Sequence, residues 1–157
     1  MTSPHAHASG FSIAGQVVLL TGGAGLYGRG LTAQLAAAGA RLSIASRDVG
    51  ALEKIAAEEC GQGHSVRAHA FDQGNEASIL RLRDWVQAEF GPLDGLVNNA
   101  VARPMKSFDA PLADWEASMK INATGLFAVA RAFGELMVAR GSGSIVNLAV
   151  DGGYTAH

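Results

Sequence analysis

The stretch QVVLLTGGAGLYGRG, residues 16–30, decides the fold. Val17, Val18, Leu19 and Leu20 form the short continuous apolar run of a strand covered on both faces. Gly22, Gly25 and Gly28 then fall where that strand turns into a helix beginning near Leu26, with Leu31, Leu35 and Ala38 on one face and Gly39 closing it. Glycine at such a turn lets the backbone bend sharply and approach a pyrophosphate, whose charge rests on unpaired N–H groups at the positive end of the helix. Gly22, Gly25, Leu26, Tyr27 and Gly28 are therefore candidate nucleotide-binding residues. Glycines serving the turn alone are the competing reading, and the position after a first strand favours the nucleotide.

The alternation of strand and helix continues outward. RLSIAS (41–46) reads as a second strand, followed by a helix through Leu52, Ile55 and Ala56. HSVRAHAF (64–71) is a third strand, and Ile79, Leu82, Val86 and Phe90 mark the next helix. LDGLVNNA (93–100) is a fourth strand. A long helical region from about Leu112 to Ala139 carries Trp115, Met119, Leu126, Phe133 and Met137, and Ile145, Val146, Leu148 and Val150 form a fifth strand with the composition of a sheet interior. Five strands joined by helical crossovers predict an α/β fold, a doubly wound parallel sheet with helices on both faces. Residues 1–14 read as a polar tail and residues 15–157 as one domain.

Of the 157 residues, 17% are charged and the net charge is −2, so no electrostatic footprint for nucleic acid or an anionic membrane is present. Apolar stretches are interrupted well short of the roughly 20 residues that cross a bilayer, and the N-terminus lacks a basic start followed by an apolar run; a cytoplasmic address is expected. Cys60, the only cysteine, has no internal partner, and Glu58 and Glu59 disfavour its thiolate. No metal is expected: His5 and His7 lack a third ligand, His64 and His69 lie five apart on a strand and project to opposite faces, and His157 is the last residue. Ser142 and Ser144 sit in a glycine-rich loop with no base nearby.

The end of the second strand discriminates between dinucleotides. An acidic residue there suits a free ribose 2′-hydroxyl, whereas a hydroxyl and a guanidinium suit a 2′-phosphate. The residues are Ser46 and Arg47. Charge-assisted bonds to phosphate contribute about 1.5–3 kcal/mol each, which favours NADP(H) over NAD(H). Arg47 pairing with Asp48, or facing solvent, is the alternative.

TGGAGLYG, the aspartate of AFDQGN, LDGLVNNA, INATGLF and GSIVNLA occur in the order found in short-chain dehydrogenases/reductases, which the chain resembles from about Phe11 to Leu148. The resemblance implies a Rossmann-type, NAD(P)(H)-dependent oxidoreductase acting on a small carbonyl or alcohol. It implies that Asp72 contacts adenine, that Asn98, Asn99 and Ala100 form the signature bracing the sheet beside the cofactor, and that Asn122 is the helix asparagine of the catalytic tetrad. From the residues alone, Asp72 could be a loop cap, the paired asparagines turn formers and Asn122 a helix irregularity beside Gly125.

The chain also departs from the family. The Thr-Gly-x-x-Gly-x-x-Gly spacing is that of the larger, sugar-nucleotide branch, and Val101 stands where the signature usually has glycine. Val150 occupies the place of the serine that polarises the substrate carbonyl, and valine has neither donor nor acceptor. Tyr154 comes too early for the family's Tyr-x-x-x-Lys pair. The expectation is an N-terminal cofactor-binding part, truncated after the fifth strand and without the family's C-terminal strands and helices, in which catalysis is impaired. An exposed edge strand and long helix would then favour self-association. A non-catalytic NADP(H)-binding module or an inert shortened product is the alternative.

Overall fold

The structure, a computed structural model, describes residues 12–149. His5, His7, Val150, Tyr154 and His157 lie outside the described residues, as does residue 11, where the resemblance begins. The elements are β1 (Val17–Thr21), α1 (Leu26–Ala37), β2 (Arg41–Ser46), α2 (Val49–Gly61), β3 (Ser65–Ala70), α3 (Glu76–Phe90), β4 (Gly95–Asn98), α4 (Leu112–Met119), a π-helical turn (Lys120–Gly125), α5 (Leu126–Arg140) and β5 (Ser144–Asn147). The five strands form one sheet in the order β3-β2-β1-β4-β5, and every pairing is parallel. The chain winds outward from β1 to β3, then crosses to the other side of β1. That reversal opens a crevice at the carboxyl ends of β1 and β4.

Alternation along β1 divides the core. Val17 and Leu19 pack with Ile79, Leu82, Val86 and Phe90 of α3 and with Val129, Phe133 and Met137 of α5. Val18 and Leu20 face the opposite layer with Leu42, Ile44, Leu52 and Ile55. The Asp48 side chain caps α2 through the Ala51 N–H, and Asn75 caps α3 through the Ser78 N–H. Asp94 ties the start of β4 to its surroundings: Oδ2 accepts from the Val17 N–H at 2.8 Å and Oδ1 from Arg140 at 2.7 Å. Desolvation raises its carboxyl pKa, but the bonds from Val17 and Arg140 outweigh that and hold it below the ordinary value.

Several expectations need correction. The buried positions of α1 are Gly28, Thr32 and Ala36; Ala38 is exposed, while Leu31 and Leu35 flank the contact. Small residues let this helix lie close to the sheet. The long helix is three pieces, and Trp115 and Met119 are half-exposed because α4 buries no residue. Within Leu112–Arg140 an 18-residue window reaches a mean hydropathy of 1.2, so by length and composition alone this stretch is apolar enough to cross a bilayer. It nevertheless packs Val129, Ala132, Phe133 and Met137 into the core beneath the sheet. β5, whose composition suits a sheet interior, is an edge strand with all four residues exposed. His64 precedes β3 and pairs with Glu59 at 2.8 Å, whereas His69 stacks on Trp85 with ring centroids 4.4 Å apart, so the two histidines remain apart for a different reason.

Candidate functional site

A cleft of 770 Å³ lies over the carboxyl ends of the strands. This is within the usual range for small-molecule sites. Its floor is the turn from β1 to α1. Gly22 has φ +71°, and a Cβ there would come within 2.8 Å of the Ala100 Cα. A Cβ at Gly28 would run into the Gly22 carbonyl oxygen, so the first turn of α1 closes directly on the loop. Gly25 is the N-cap of α1 and brings no side-chain cap; the first turn holds no acidic residue either. The starts of α2 and α3, by contrast, are capped by the side chains of Asp48 and Asn75. The start of α1 faces the cleft with its positive end and with no side-chain cap from Gly25. Leu26 and Tyr27 line the cleft there.

At the end of β2, Ser46, Arg47 and Asp48 line the same cleft. The Asp48 Oδ1 accepts from the Ala51 N–H at 3.0 Å, and the Ser46 hydroxyl donates to the Asp48 carbonyl at 3.3 Å. Arg47 is exposed and forms no ion pair with Asp48 or any other described residue. Its guanidinium is available to a ligand. At the end of β3, Asp72 Oδ1 accepts from the Gly74 N–H at 2.9 Å, so the loop-cap reading holds for that oxygen while the residue still lines the cleft.

The asparagine pair divides its work. Asn98, buried, donates from Nδ2 to Asn147 Oδ1 at 2.9 Å and braces β4 against β5. Asn99 donates from Nδ2 to the carbonyls of Thr21 and Gly22 at 3.2 and 3.0 Å, fastening β4 to the glycine turn. The Thr21 hydroxyl accepts from the N–H groups of Asn99 and Ala100, both at 3.1 Å. Val101 is 58% exposed and borders the cleft, so its side chain is accommodated without displacing the strand end.

Asn122 lies in the π-helical turn and also makes a two-point clamp. Its Oδ1 accepts from the Ala102 N–H at 2.8 Å, and its Nδ2 donates to the Ala102 carbonyl at 2.7 Å and to Ser118 Oγ at 3.1 Å. The helix irregularity is thus present, and Asn122 itself stands behind the cleft lining, next to Ile121 and clamped to Ala102, which border it. Sequence reasoning missed three residues of this framework: Thr21, Ser118 and Gln73. Thr21 directly precedes the glycine turn and was open to detection; nothing local marks Ser118 or Gln73. The cations Arg103 and Lys106 also line the cleft.

Comparison with known proteins bears on this geometry. The family model described as short chain dehydrogenase matches residues 16–156, eight residues beyond the Leu148 limit of the resemblance read from the motifs. The D-threitol dehydrogenase of Mycolicibacterium smegmatis is 36% identical over 140 residues, covering 88% of this chain and 54% of the relative. The short chain dehydrogenase/reductase dpmpG of Macrophomina phaseolina is 34% identical over 156 residues, covering 92% of this chain and 87% of the relative. A metagenomic short-chain oxidoreductase in complex with NADP superposes with TM-score 0.83 at 30% identity, over 91% of this chain and 66% of that one. NAD⁺-bound xylitol dehydrogenase gives 0.85 at 30% identity, over 94% and 57%. The chain spans about half the length of several curated relatives it matches, though most of dpmpG.

Proposed function

The chain belongs to the short chain dehydrogenase family, and on that premise we propose that residues 15–157 form a domain that binds NADP(H), in an oxidoreductase lineage acting on small carbonyls or alcohols. One observation carries the reading. The glycine turn that opens α1 and the exposed Arg47, which has no ion pair among the described residues, line a single cleft, which supports a pyrophosphate at the turn and a 2′-phosphate at the cation. The glycine cradle supports the fit, since a Cβ at Gly28 would close it against Gly22. A bound nicotinamide dinucleotide supplies the hydride chemistry. Around it, Gly22, Gly25, Leu26, Tyr27 and Gly28 would line the pyrophosphate, Ser46 and Arg47 the 2′-phosphate, and Asp72 the adenine. Asn98, Asn99, Ala100 and Asn122 would hold the wall beside it.

Structural relatives include both NADP and NAD complexes, so family membership alone leaves the choice to Arg47. Fluorescence titration of the purified chain with NADPH and NADH tests it. NADPH binds more tightly, and Arg47→Ala weakens NADPH binding about tenfold or more while leaving NADH unchanged. A cooperatively folded chain that binds neither dinucleotide refutes the reading.

We further infer that turnover by this chain is impaired, because Val150 offers no hydrogen bond where the family's carbonyl-polarising serine stands. An aldehyde and ketone panel checks this: reduction at rates typical of the family overturns it and leaves a fully active oxidoreductase. A binding module without catalysis is the second reading, supported by the same valine. Exposed Phe127, Ile145 and Val146, with an edge of β5 that no described strand covers, support self-association, which sedimentation would detect. A cytoplasmic location fits a chain whose single cysteine, Cys60, gives its thiol to the Val66 carbonyl.

A further inference from the structure

We propose that Gln73 is the positioning residue of the cleft's inner wall, holding the end of β4 and the π-helical turn at the spacing that lets Asn122 clamp Ala102. The inference rests on reading the cleft as a dinucleotide site. Gln73 is 5% exposed and borders the cleft. Its Nε2 donates to the Ile121 carbonyl at 2.9 Å and to the Ala100 carbonyl at 3.4 Å. Those carbonyls flank the clamp: Ile121 immediately precedes Asn122, and Ala100 lies two residues before Ala102. One amide thus spans both sides of the junction that Asn122 closes from the other direction.

The backbone fits as closely as the side chain. A Cβ at Gly125 would collide with the Gln73 carbonyl oxygen, and one at Gly74 would lie 3.3 Å from Ile121 Cγ1. The loop after β3 is therefore seated in the π turn. Two carbonyl acceptors dictate that the amine end of the amide faces them. Gln73 Oε1 is then buried with no partner among the described residues. A side chain serving only to fill this space would be better apolar, since an unmatched buried acceptor is unfavourable. The two bonds from Nε2 are what the amide contributes.

Gln73→Met tests this, because methionine keeps the length and volume while removing both the donor and the unpartnered oxygen. The expected result is faster hydrogen exchange at the Ala102 amide by about tenfold, NADPH binding weaker by a similar factor, and melting close to that of the parent. Amides of β1 and β2 exchange as before. Unchanged exchange at Ala102 overturns the proposal whether or not a dinucleotide binds. A parent chain that binds no dinucleotide refutes the reading of the cleft instead, and the Ala102 measurement still judges Gln73. Gln73→Glu at neutral pH is the second variant should methionine fail to fold: it keeps the length but offers no N–H, and the same exchange readout applies.

Discussion

β1 and β5 lie in one sheet and are built from similar residues, VVLLT and SIVN, yet every residue of β1 is buried and every residue of β5 is exposed. β1 is paired with β2 and β4 and is covered above and below by the two hydrophobic layers. Among the described residues β5 is paired only with β4, and α5 reaches it through a light contact in which a Cβ at Gly134 would sit 3.6 Å from Ile145 Cδ1. The difference teaches that β-branched composition states a capacity for burial, while neighbouring elements decide whether it is used.

The largest effect that could break this comparison comes from truncating one residue in each strand. Leu19→Ala, at a position with no exposure, should cost about 2–5 kcal/mol. Val146→Ala, at a position 48% exposed, should cost about 1 kcal/mol or less in the same urea titration. Equal costs would mean that β5 is covered in solution.

Next come two glycines on one helix. Gly28→Ala, on the face of α1 that closes against Gly22, should cost about 1–3 kcal/mol and abolish NADPH binding. Gly30→Ala, where a Cβ meets nothing within 4 Å, should stabilise α1 by about 0.5–1 kcal/mol and leave binding intact. A calorimetric melt with and without NADPH separates them.

Asp94 links the buried and open halves, joining β1 to β4 and α5. Asp94→Asn should cost about 1–2 kcal/mol at neutral pH through its weakened bonds to Val17 and Arg140. Because the folded carboxyl is depressed, its contribution is complete above the ordinary value of 3.8 and fades as pH falls through the lower folded value. The parent and variant stabilities should therefore converge in acid.

The smallest effect belongs to His69. Burial against Trp85, aided by the nearby positive charge of Arg81, lowers its pKa from 6.5. The unfolded chain then takes up the proton first, so stability declines as pH drops below about 6.5. His69→Gln should flatten that decline, and Trp85 fluorescence gives the readout.

Local chemistry was legible chiefly where its partners are close in sequence. The turn from β1 to α1 and the apolar face of α3 follow from residues within a turn of one another, whereas the caps Asp48 and Asn75, equally local, went unread. The motifs also named Asn98, Asn99 and Asn122. Their division of labour was not legible, because Asn98 meets Asn147 49 residues away and Asn99 meets Thr21 78 residues away. Gln73 was invisible for the same reason, since its carbonyl acceptor on Ile121 lies 48 residues on. The inner face of α1 was misread because leucines advertise burial more loudly than Gly28, Thr32 and Ala36, which bury by close approach.

The sequence by itself determined the alternation of strand and helix, the parallel sheet, the glycine turn and the family. These rest on periodicity, turn chemistry and motif order, which act over short separations. Three-dimensional packing was needed to show that Arg47 has no ion pair among the described residues while Asp48 caps a helix, that Gln73 and Asn122 hold one wall from two sides, and that no described strand covers the outer edge of β5. Each depends on which distant groups fill a hydrogen-bonding position or cover a surface, and that competition is settled in three dimensions.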